Sequence, residues 1–164
     1  MSPLPQLHPL RLLPGLQLVW LTDDIAIGGT QRRIAWHTCA RAGIDTVLDL
    51  RDDAKNDATL LSKLGIEYAR VPIPEGEAPT LEQLQIMAAW IGSKLRQNRK
   101  ALIHCAHGMG RSATVACATL VALGFSLPHA YDFLPRAEPR TALSQQQART
   151  LESFANKARL EKAA

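Results

Sequence analysis

Short apolar runs alternate with longer amphipathic stretches along most of the chain. The apolar runs predict strands at 16–21, 25–27, 44–50, 66–71 and 101–104. Apolar positions with helical spacing predict helices at about 30–42, 57–64, 81–97, 111–123, 126–134 and 144–158. Strands that alternate with helices build a mostly parallel twisted sheet with helices on both faces, so we predict a single α/β domain.

Residue types with strong local preferences mark where several of these elements begin or end. Thr80 and Ser144 are each followed three residues later by a glutamine, the capping-box pattern of a helix start. Thr30 is predicted to cap the first helix. Prolines and glycines predict loops at 72–79 and 135–140.

Length and composition fit one globular domain. The chain has 164 residues, of which 46% are hydrophobic and 21% are charged. Four prolines in residues 1–15 predict an irregular lead-in, which leaves 16–160 as the folded domain. The longest apolar run, at 113–125, is shorter than the roughly 18 residues of a membrane span, so none is predicted.

The charge and the cysteine content indicate which classes of ligand and which cellular compartment to expect. The formal net charge of +4 suits an anionic ligand. The basic residues are scattered and aromatic residues make up 5% of the chain, so no nucleic-acid surface is expected. Three cysteines do not make a disulfide framework, and no early basic residues of a signal peptide are present. We therefore expect a cytoplasmic protein.

The segment 104–112, His-Cys-Ala-His-Gly-Met-Gly-Arg-Ser, is the richest in chemistry. It joins a predicted strand to a predicted helix, beyond the carboxyl end of the sheet, where ligands bind in such folds. Glycines allow backbone N–H groups to turn toward an anion, and a helix start adds unpaired donors. These features predict a phosphate cradle, closed by the guanidinium fork of Arg111. The cradle residues are Ala106, His107, Gly108, Met109, Gly110 and Arg111.

Cys105 opens this loop, so its sulfur is predicted to face the same donors. A thiol in that field is expected to be ionised near neutral pH and to act as a nucleophile. Its attack on a phosphoryl group gives a cysteinyl phosphate, with Ser112 donating a hydrogen bond to the sulfur when it leaves. No metal or other cofactor is required, because Arg111 and backbone N–H groups supply the positive field.

The histidines and cysteines do not have the spacing of a metal site. His104, Cys105 and His107 lack the paired arrangement of structural zinc ligands, so no metal is predicted. Cys39 and Cys117 lie in predicted helices and are expected to be core residues. His107 is predicted either to contact substrate or to be simply exposed.

The pattern His104-Cys105, five residues, Arg111-Ser112 resembles the signature loop of the cysteine-based protein tyrosine phosphatase superfamily. The length, the Gly-x-Gly-Arg-Ser ending and the Val-Leu-Asp-Leu and Val-Pro-Ile-Pro segments are similar to the small atypical dual-specificity phosphatases. The resemblance covers roughly residues 16–155. It implies the phosphotyrosine protein phosphatase-like fold, a phosphocysteine intermediate and a histidine that organises the loop. Alternatively, His104 is a buried structural histidine at the end of a strand, and both roles are compatible.

The resemblance also implies a general acid, normally an aspartate, on a loop about thirty residues before the nucleophile. Glu75 occupies that position, so this chain departs from the usual residue. Glu77 is one alternative, Asp52 or Asp53 at a neighbouring strand end is another, and a solvated loop acid without a catalytic part is a third.

Gln147 lies where related phosphatases have a glutamine that positions the hydrolytic water. A capping-box partnership with Ser144 explains the same residue structurally, and we favour that interpretation. Both roles place Gln147 at the start of the last helix.

The predicted function is hydrolysis of phosphate monoesters on proteins, with phosphotyrosine foremost and phosphoserine or phosphothreonine admitted by a shallow pocket. One alternative substrate is a non-protein phosphate such as an inositol phosphate, a phospholipid or an RNA 5′ end. The absence of lysine from the loop argues against the phosphoinositide. Another alternative is a phosphate-binding module with little turnover, which the intact Cys105–Arg111 pair argues against. A monomer is favoured, although the sequence leaves the oligomeric state open.

Overall fold

The computed structural model describes residues 11–12, 18–29, 35–52, 57–106, 109–137 and 142–164. The strands in these ranges are β1 (Arg11–Leu12), β2 (Leu18–Trp20), β3 (Ile25–Gly29), β4 (Thr46–Asp49), β5 (Glu67–Arg70) and β6 (Ala101–Cys105). The helices are α1 (Trp36–Arg41), α2 (Ala58–Lys63), α3 (Leu81–Leu95), α4 (Gly110–Ala122), α5 (Leu127–Ala137) and α6 (Gln145–Ala163).

The strands form one sheet in the order β1-β2-β3-β6-β4-β5. Strands β3, β6, β4 and β5 are parallel, whereas β2 and β1 continue the sheet in antiparallel fashion. The two central strands β3 and β6 are buried along their whole length, as expected for parallel strands covered on both faces. The mostly parallel sheet predicted from the sequence is confirmed.

Helices cover both faces of the sheet. On one face, side chains of α1 and α2 pack against Val47 of β4 and Leu102 of β6. On the other face, α3, α4, α5 and α6 pack against Leu48 and Ile103. Neighbouring residues of a strand therefore point into two separate cores, which confirms the predicted layer arrangement. No helix in the described ranges is both long and apolar enough to cross a bilayer.

Both predicted capping boxes are present. In α3 the Thr80 hydroxyl accepts a hydrogen bond from the Gln83 backbone N–H at 3.1 Å, and the Gln83 side-chain oxygen accepts one from the Thr80 N–H at 2.9 Å. The Ser144 hydroxyl and the Gln147 side chain make the same reciprocal pair in α6, at 3.2 and 2.9 Å. The local signal was sufficient at these two helix starts.

Other predicted boundaries are wrong. Helix α1 begins at Trp36 after the uncapped Ala35, so Thr30, which lies outside the described residues, does not start it. The preceding glycines Gly28 and Gly29 instead extend β3, where they pair with β6. Pro135 lies inside α5 rather than in a loop, because Phe133 and Leu134 bury the preceding turn in the core.

The predicted irregular lead-in lies mostly outside the described residues. Within it, Arg11 and Leu12 form β1 instead of irregular chain, since they pair with Trp20 and Val19 of β2. Backbone pairing with an existing strand edge thus extends the sheet into this segment.

Candidate active site

Three loops that follow parallel strands meet at one edge of the sheet. Strand β4 lies next to β6, with Asp49 opposite His104, and it also pairs with β5. The chain after β6 is the Cys-to-Arg loop, the chain after β4 contains Arg51 and Asp52, and the chain after β5 leads to Glu75. The carboxyl ends of adjacent parallel strands therefore bring the predicted chemistry together.

Cys105 is the last residue of β6 and is completely buried. Its sulfur lies 3.5 Å from the hydroxyl oxygen of Ser112, in the first turn of α4. That hydroxyl donates a hydrogen bond to the Met109 carbonyl at 3.0 Å. The predicted nucleophile and the predicted stabiliser of its sulfur are thus direct neighbours.

The backbone just before α4 has an unusual conformation. Met109 has a φ of 55°, in the left-handed region, which costs a residue with a Cβ about 1 kcal/mol or more. Its buried side chain and the bonds to its carbonyl from Ser112 and the Ala113 N–H hold that conformation. His107 and Gly108, the predicted cradle residues before it, lie outside the described residues.

Arg111 is 3% exposed, so its charge is almost completely removed from solvent. Its Nη1 donates to the Ile73 carbonyl at 2.7 Å and lies 3.6 Å from a carboxylate oxygen of Asp52. Its Nη2 is buried and has no hydrogen-bond partner among the described residues. An unpaired N–H of a charged group is costly to bury, and an anion in the loop would satisfy it.

His104 is a buried neutral histidine at the base of the loop. Burial lowers its pKa to about 4, although the carboxylate of Asp49, 3.6 Å from Nε2, acts in the opposite direction. Its ring packs edge-on against Trp36 with 5.5 Å between ring centroids. His104 is therefore a buried structural histidine, and its place directly before Cys105 is also compatible with a role in organising the loop.

A buried carboxylate beside His104 was not anticipated from the sequence. Burial raises the pKa of Asp49, but the hydrogen bonds that it accepts from Arg51 and Tyr68 lower it by more, so the net shift is downward. Arg51 Nη2 donates to it at 2.7 Å and the Tyr68 hydroxyl at 2.8 Å. The sequence does contain a signal for this ion pair: Asp49 lies inside an apolar strand and Arg51 follows two residues later.

The loop with the predicted general acid is a defined turn. The Glu77 N–H donates to the Pro74 carbonyl at 3.1 Å, and Gly76 has a φ of 81°, as a type II turn requires at its third residue. Glu75 is the exposed second residue of that turn. The preceding Ile73 is buried and is the residue that accepts the Arg111 hydrogen bond, so the turn is joined directly to the cradle.

The alternative acids are placed differently. Asp52 is 44% exposed and lies beside the Arg111 guanidinium. Glu77 is exposed, and its backbone carbonyl accepts a hydrogen bond from the Gln147 side chain. Asp53 lies outside the described residues.

Gln147 connects three parts of the site. Its side-chain oxygen accepts from the Ser144 N–H, which confirms the capping-box interpretation, and its side-chain nitrogen donates to the Glu77 carbonyl at 3.1 Å. A Cβ on Gly110 would lie 3.1 Å from the Gln147 side-chain oxygen, so glycine at that position leaves room for this contact. The link from Gln147 to the acid loop was missed, since nothing local in the sequence encodes it.

Comparison with known proteins agrees with this geometry. Residues 28–125 match a family model described as "Polymorphic toxin system, DSP-PTPase phosphatase". The structure of Tk-PTP in its active form is 30% identical, with a TM-score of 0.78, over 89% of this chain and 99% of that one. The structure of PTPMT1 in complex with PI(5)P is 17% identical, with a TM-score of 0.81, over 90% of this chain and 99% of that one, a similarity of fold.

Among curated proteins, cyclin-dependent kinase inhibitor 3 of Rattus norvegicus is 37% identical over 68 residues. That match covers 42% of this chain and 32% of the rat protein, so the chain spans about a third of the relative's length. The family model covers well over half of the chain and contains the whole Cys-to-Arg loop. The chain therefore belongs to the DSP-PTPase family of dual-specificity-type, cysteine-based phosphatases.

Proposed function

We propose that this enzyme hydrolyses phosphate monoesters through a phosphocysteine intermediate on Cys105, with phosphotyrosine on proteins as its preferred substrate. The observation that carries the proposal is the buried Arg111 fork, whose Nη2 has no hydrogen-bond partner among the described residues. A phosphoryl oxygen is the acceptor that this nitrogen fits. The Cys105 sulfur lies 3.5 Å from the Ser112 hydroxyl in the first turn of α4, at the positive end of that helix.

The first chemical step transfers the phosphoryl group to the enzyme. The Cys105 thiolate attacks phosphorus, the bond from phosphorus to the ester oxygen breaks, and the carboxylic acid of Glu75 gives its proton to that oxygen. Arg111 and the backbone N–H groups of the loop stabilise the negative charge on the transferring group.

The second step releases phosphate. Water attacks phosphorus and gives a proton to the Glu75 carboxylate, while the bond from phosphorus to sulfur breaks. The electron pair returns to sulfur, and the Ser112 hydroxyl, 3.5 Å away, turns to donate to the thiolate. The enzyme then regains its starting charge and protonation.

Phosphotyrosine is favoured for a chemical reason. A phenolate is a better leaving group than an alkoxide, so it needs less help from an acid that is glutamate instead of aspartate. The loop side chains at 106 and 109 are alanine and methionine, which offer no cation for the additional phosphates of an inositol ring. A phosphoinositide is the second candidate, because a chain of the same fold has been solved with PI(5)P.

Hydrolysis of para-nitrophenyl phosphate tests whether the chain is an enzyme with this nucleophile. We expect turnover by the wild type, none by Cys105→Ser, and nearly full turnover by Cys117→Ser, the matched control. Cys117 is buried in the same helix as Ser112, and burial raises its pKa to about 12, so it has no part in the proposed chemistry. Oxyanion binding without turnover by the wild type would favour the binding-module alternative.

A substrate panel tests the substrate class separately. Phosphotyrosine, phosphoserine and phosphothreonine versions of one peptide are compared with soluble inositol phosphates and with phosphoinositide in vesicles. We expect the highest kcat/KM for the phosphotyrosine peptide. A higher value for an inositol phosphate or a phosphoinositide would overturn the protein-substrate assignment while leaving the cysteine chemistry intact.

A further inference from the structure

Two helices of this chain begin with the same capping box, but among the described residues only one of the two glutamines has an additional partner in another loop. Gln83 in α3 makes the reciprocal bonds with Thr80. Gln147 in α6 makes the corresponding bonds with Ser144 and also donates from its side-chain nitrogen to the Glu77 carbonyl, 70 residues away along the chain. Gln147 is 4% exposed, so that donor has little access to water.

Side-chain bonds from Gln147 and Arg111 anchor the acid loop, the segment 73–77 that carries Glu75. Arg111 binds the Ile73 carbonyl and Gln147 binds the Glu77 carbonyl, so the two bonds lie at the two ends of the turn that presents Glu75. Within the turn, the Glu77 N–H bonds back to Pro74. The tip of the loop is exposed, and the two side chains that fix its ends are buried.

We propose that Gln147 is a positioning residue, which holds the acid loop in the conformation that brings Glu75 to the leaving oxygen. The proposal rests on the phosphatase function proposed above. It differs from a role in holding the hydrolytic water, because the observed partners of the Gln147 amide are the Ser144 N–H of the helix cap and the Glu77 carbonyl of the acid loop. Gln147 thus acts on the first chemical step, through Glu75, and not on the second.

The variants Gln147→Met and Gln147→Glu remove the donor to the loop in two ways. Methionine keeps the length of the side chain without charge. Glutamate keeps the oxygen that accepts from Ser144 and is itself a preferred capping-box residue, so the helix start is retained. Gln83→Met and Gln83→Glu make identical changes in the other capping box and are the matched controls.

Single-turnover kinetics measure the two chemical steps separately. Loss of one neutral hydrogen bond should reduce the population of the positioned loop about 5- to 10-fold. We therefore expect both Gln147 variants to slow phosphorylation of Cys105 about 5- to 10-fold with phenyl phosphate, a poor leaving group, and less with a highly activated aryl phosphate. Both Gln83 variants should match the wild type. The Gln147→Met effect should largely vanish in a Glu75→Gln background, because both changes act through the same proton.

Three kinetic results would overturn the proposal. The first is a burst of released phenol followed by slow turnover, because it means that the second step has slowed and that Gln147 acts on the water. The second is an equal loss for good and poor leaving groups. The third is additivity with Glu75→Gln.

Amide hydrogen exchange gives a readout that is independent of catalysis. Exchange of the Glu77 N–H should rise about 5- to 10-fold in Gln147→Met and stay unchanged in Gln83→Met. If the wild type has no turnover that depends on Cys105, the proposed function fails while this measurement still tests the contact. Unchanged exchange at Glu77 in Gln147→Met would overturn the positioning role even in an active enzyme.

Discussion

The two ends of the parallel sheet place charged residues in different ways. At the amino end, Arg99 pairs with Asp45 at 3.2 Å and with Glu67, and Lys94 pairs with Glu67 at 2.7 Å. These side chains are partly exposed, and each charge has a partner of opposite sign. At the carboxyl end, Arg111 is buried and one of its nitrogens has no partner among the described residues.

The ion pairs at the amino end are satisfied within the fold, whereas the buried guanidinium at the carboxyl end has a donor that an anion could satisfy. A solvated ion pair adds little stability and its loss costs little. A buried cation with an unsatisfied donor destabilises the empty protein, so it is retained at sites where an anion completes it. This contrast leads to predictions at both ends of the sheet.

The largest effect is expected for Arg111→Lys compared with Arg99→Lys. Lysine keeps the positive charge but not the planar fork that binds the Ile73 carbonyl and that we propose binds the phosphoryl group. We expect kcat/KM for para-nitrophenyl phosphate to fall about 10³-fold in Arg111→Lys. Arg99→Lys at the opposite end should retain the wild-type value. An equal loss in both variants would mean that charge at either end acts only through stability.

A pH-dependent loss of stability is expected from His104, at the carboxyl end of the sheet. In the unfolded chain a histidine titrates near 6.5, whereas burial holds the pKa of His104 at about 4 in the folded protein. Between these values the unfolded state binds a proton that the folded state does not, so acid favours unfolding. Urea denaturation should show up to about 3 kcal/mol of stability lost as pH falls from 7 to 4.

The variant His104→Asn tests the origin of that loss. Asparagine does not titrate, so the decrease in stability between pH 6.5 and 4 should become smaller, even though the variant starts from a lower stability. Asp49 adds a further loss below about pH 4, because its pKa is lowered on folding and its stabilising bonds to Arg51 disappear on protonation. The same slope in His104→Asn as in the wild type would assign the acid sensitivity to other groups.

A smaller effect, which depends on the substrate, is expected for Glu75→Gln. The amide cannot give a proton to the leaving oxygen, so the rate should fall about 10²-fold for phenyl phosphate and much less for an activated aryl phosphate. Glu77→Gln should leave the rate almost unchanged. Asp52→Asn is the decisive comparison, because Asp52 lies 3.6 Å from Arg111. A leaving-group-dependent loss in Asp52→Asn but not in Glu75→Gln would move the acid role to Asp52.

The fold and the central loop could be predicted because their signals are local. Strand and helix periodicity predicted the layer arrangement, and the segment from Cys105 to Arg111 lies, as predicted, between the end of β6 and the start of α4. Both capping boxes were correct for the same reason, since their partners lie three residues apart. The helix start predicted at Thr30 was wrong because α1 begins at Trp36 after Ala35, a residue without a capping side chain, so no local signal marks that start.

The contacts that organise the site could not be predicted, because they join distant parts of the chain. Arg111 and Ile73 are 38 residues apart, and Gln147 and Glu77 are 70 apart. Each bond has a backbone carbonyl as acceptor, and every residue has one, so no residue type marks the partner. Only the folded structure shows which carbonyl each side chain binds.

The smallest effect is expected for Glu67→Gln at the amino end of the sheet. Glu67 has two cationic partners, Lys94 and Arg99, whose hydrogen bonds and charges hold its pKa below the ordinary value. It is nevertheless 40% exposed, so solvent screens most of the interaction, and the unfolding free energy should fall by less than about 1 kcal/mol. The difference from the wild type should shrink further in 1 M NaCl, where the Debye length is about 3 Å. The rate of para-nitrophenyl phosphate hydrolysis should stay the same. A loss of several kcal/mol or a slower rate would show that the ion pairs at this end are coupled to the active site, and the contrast between the two ends would be lost.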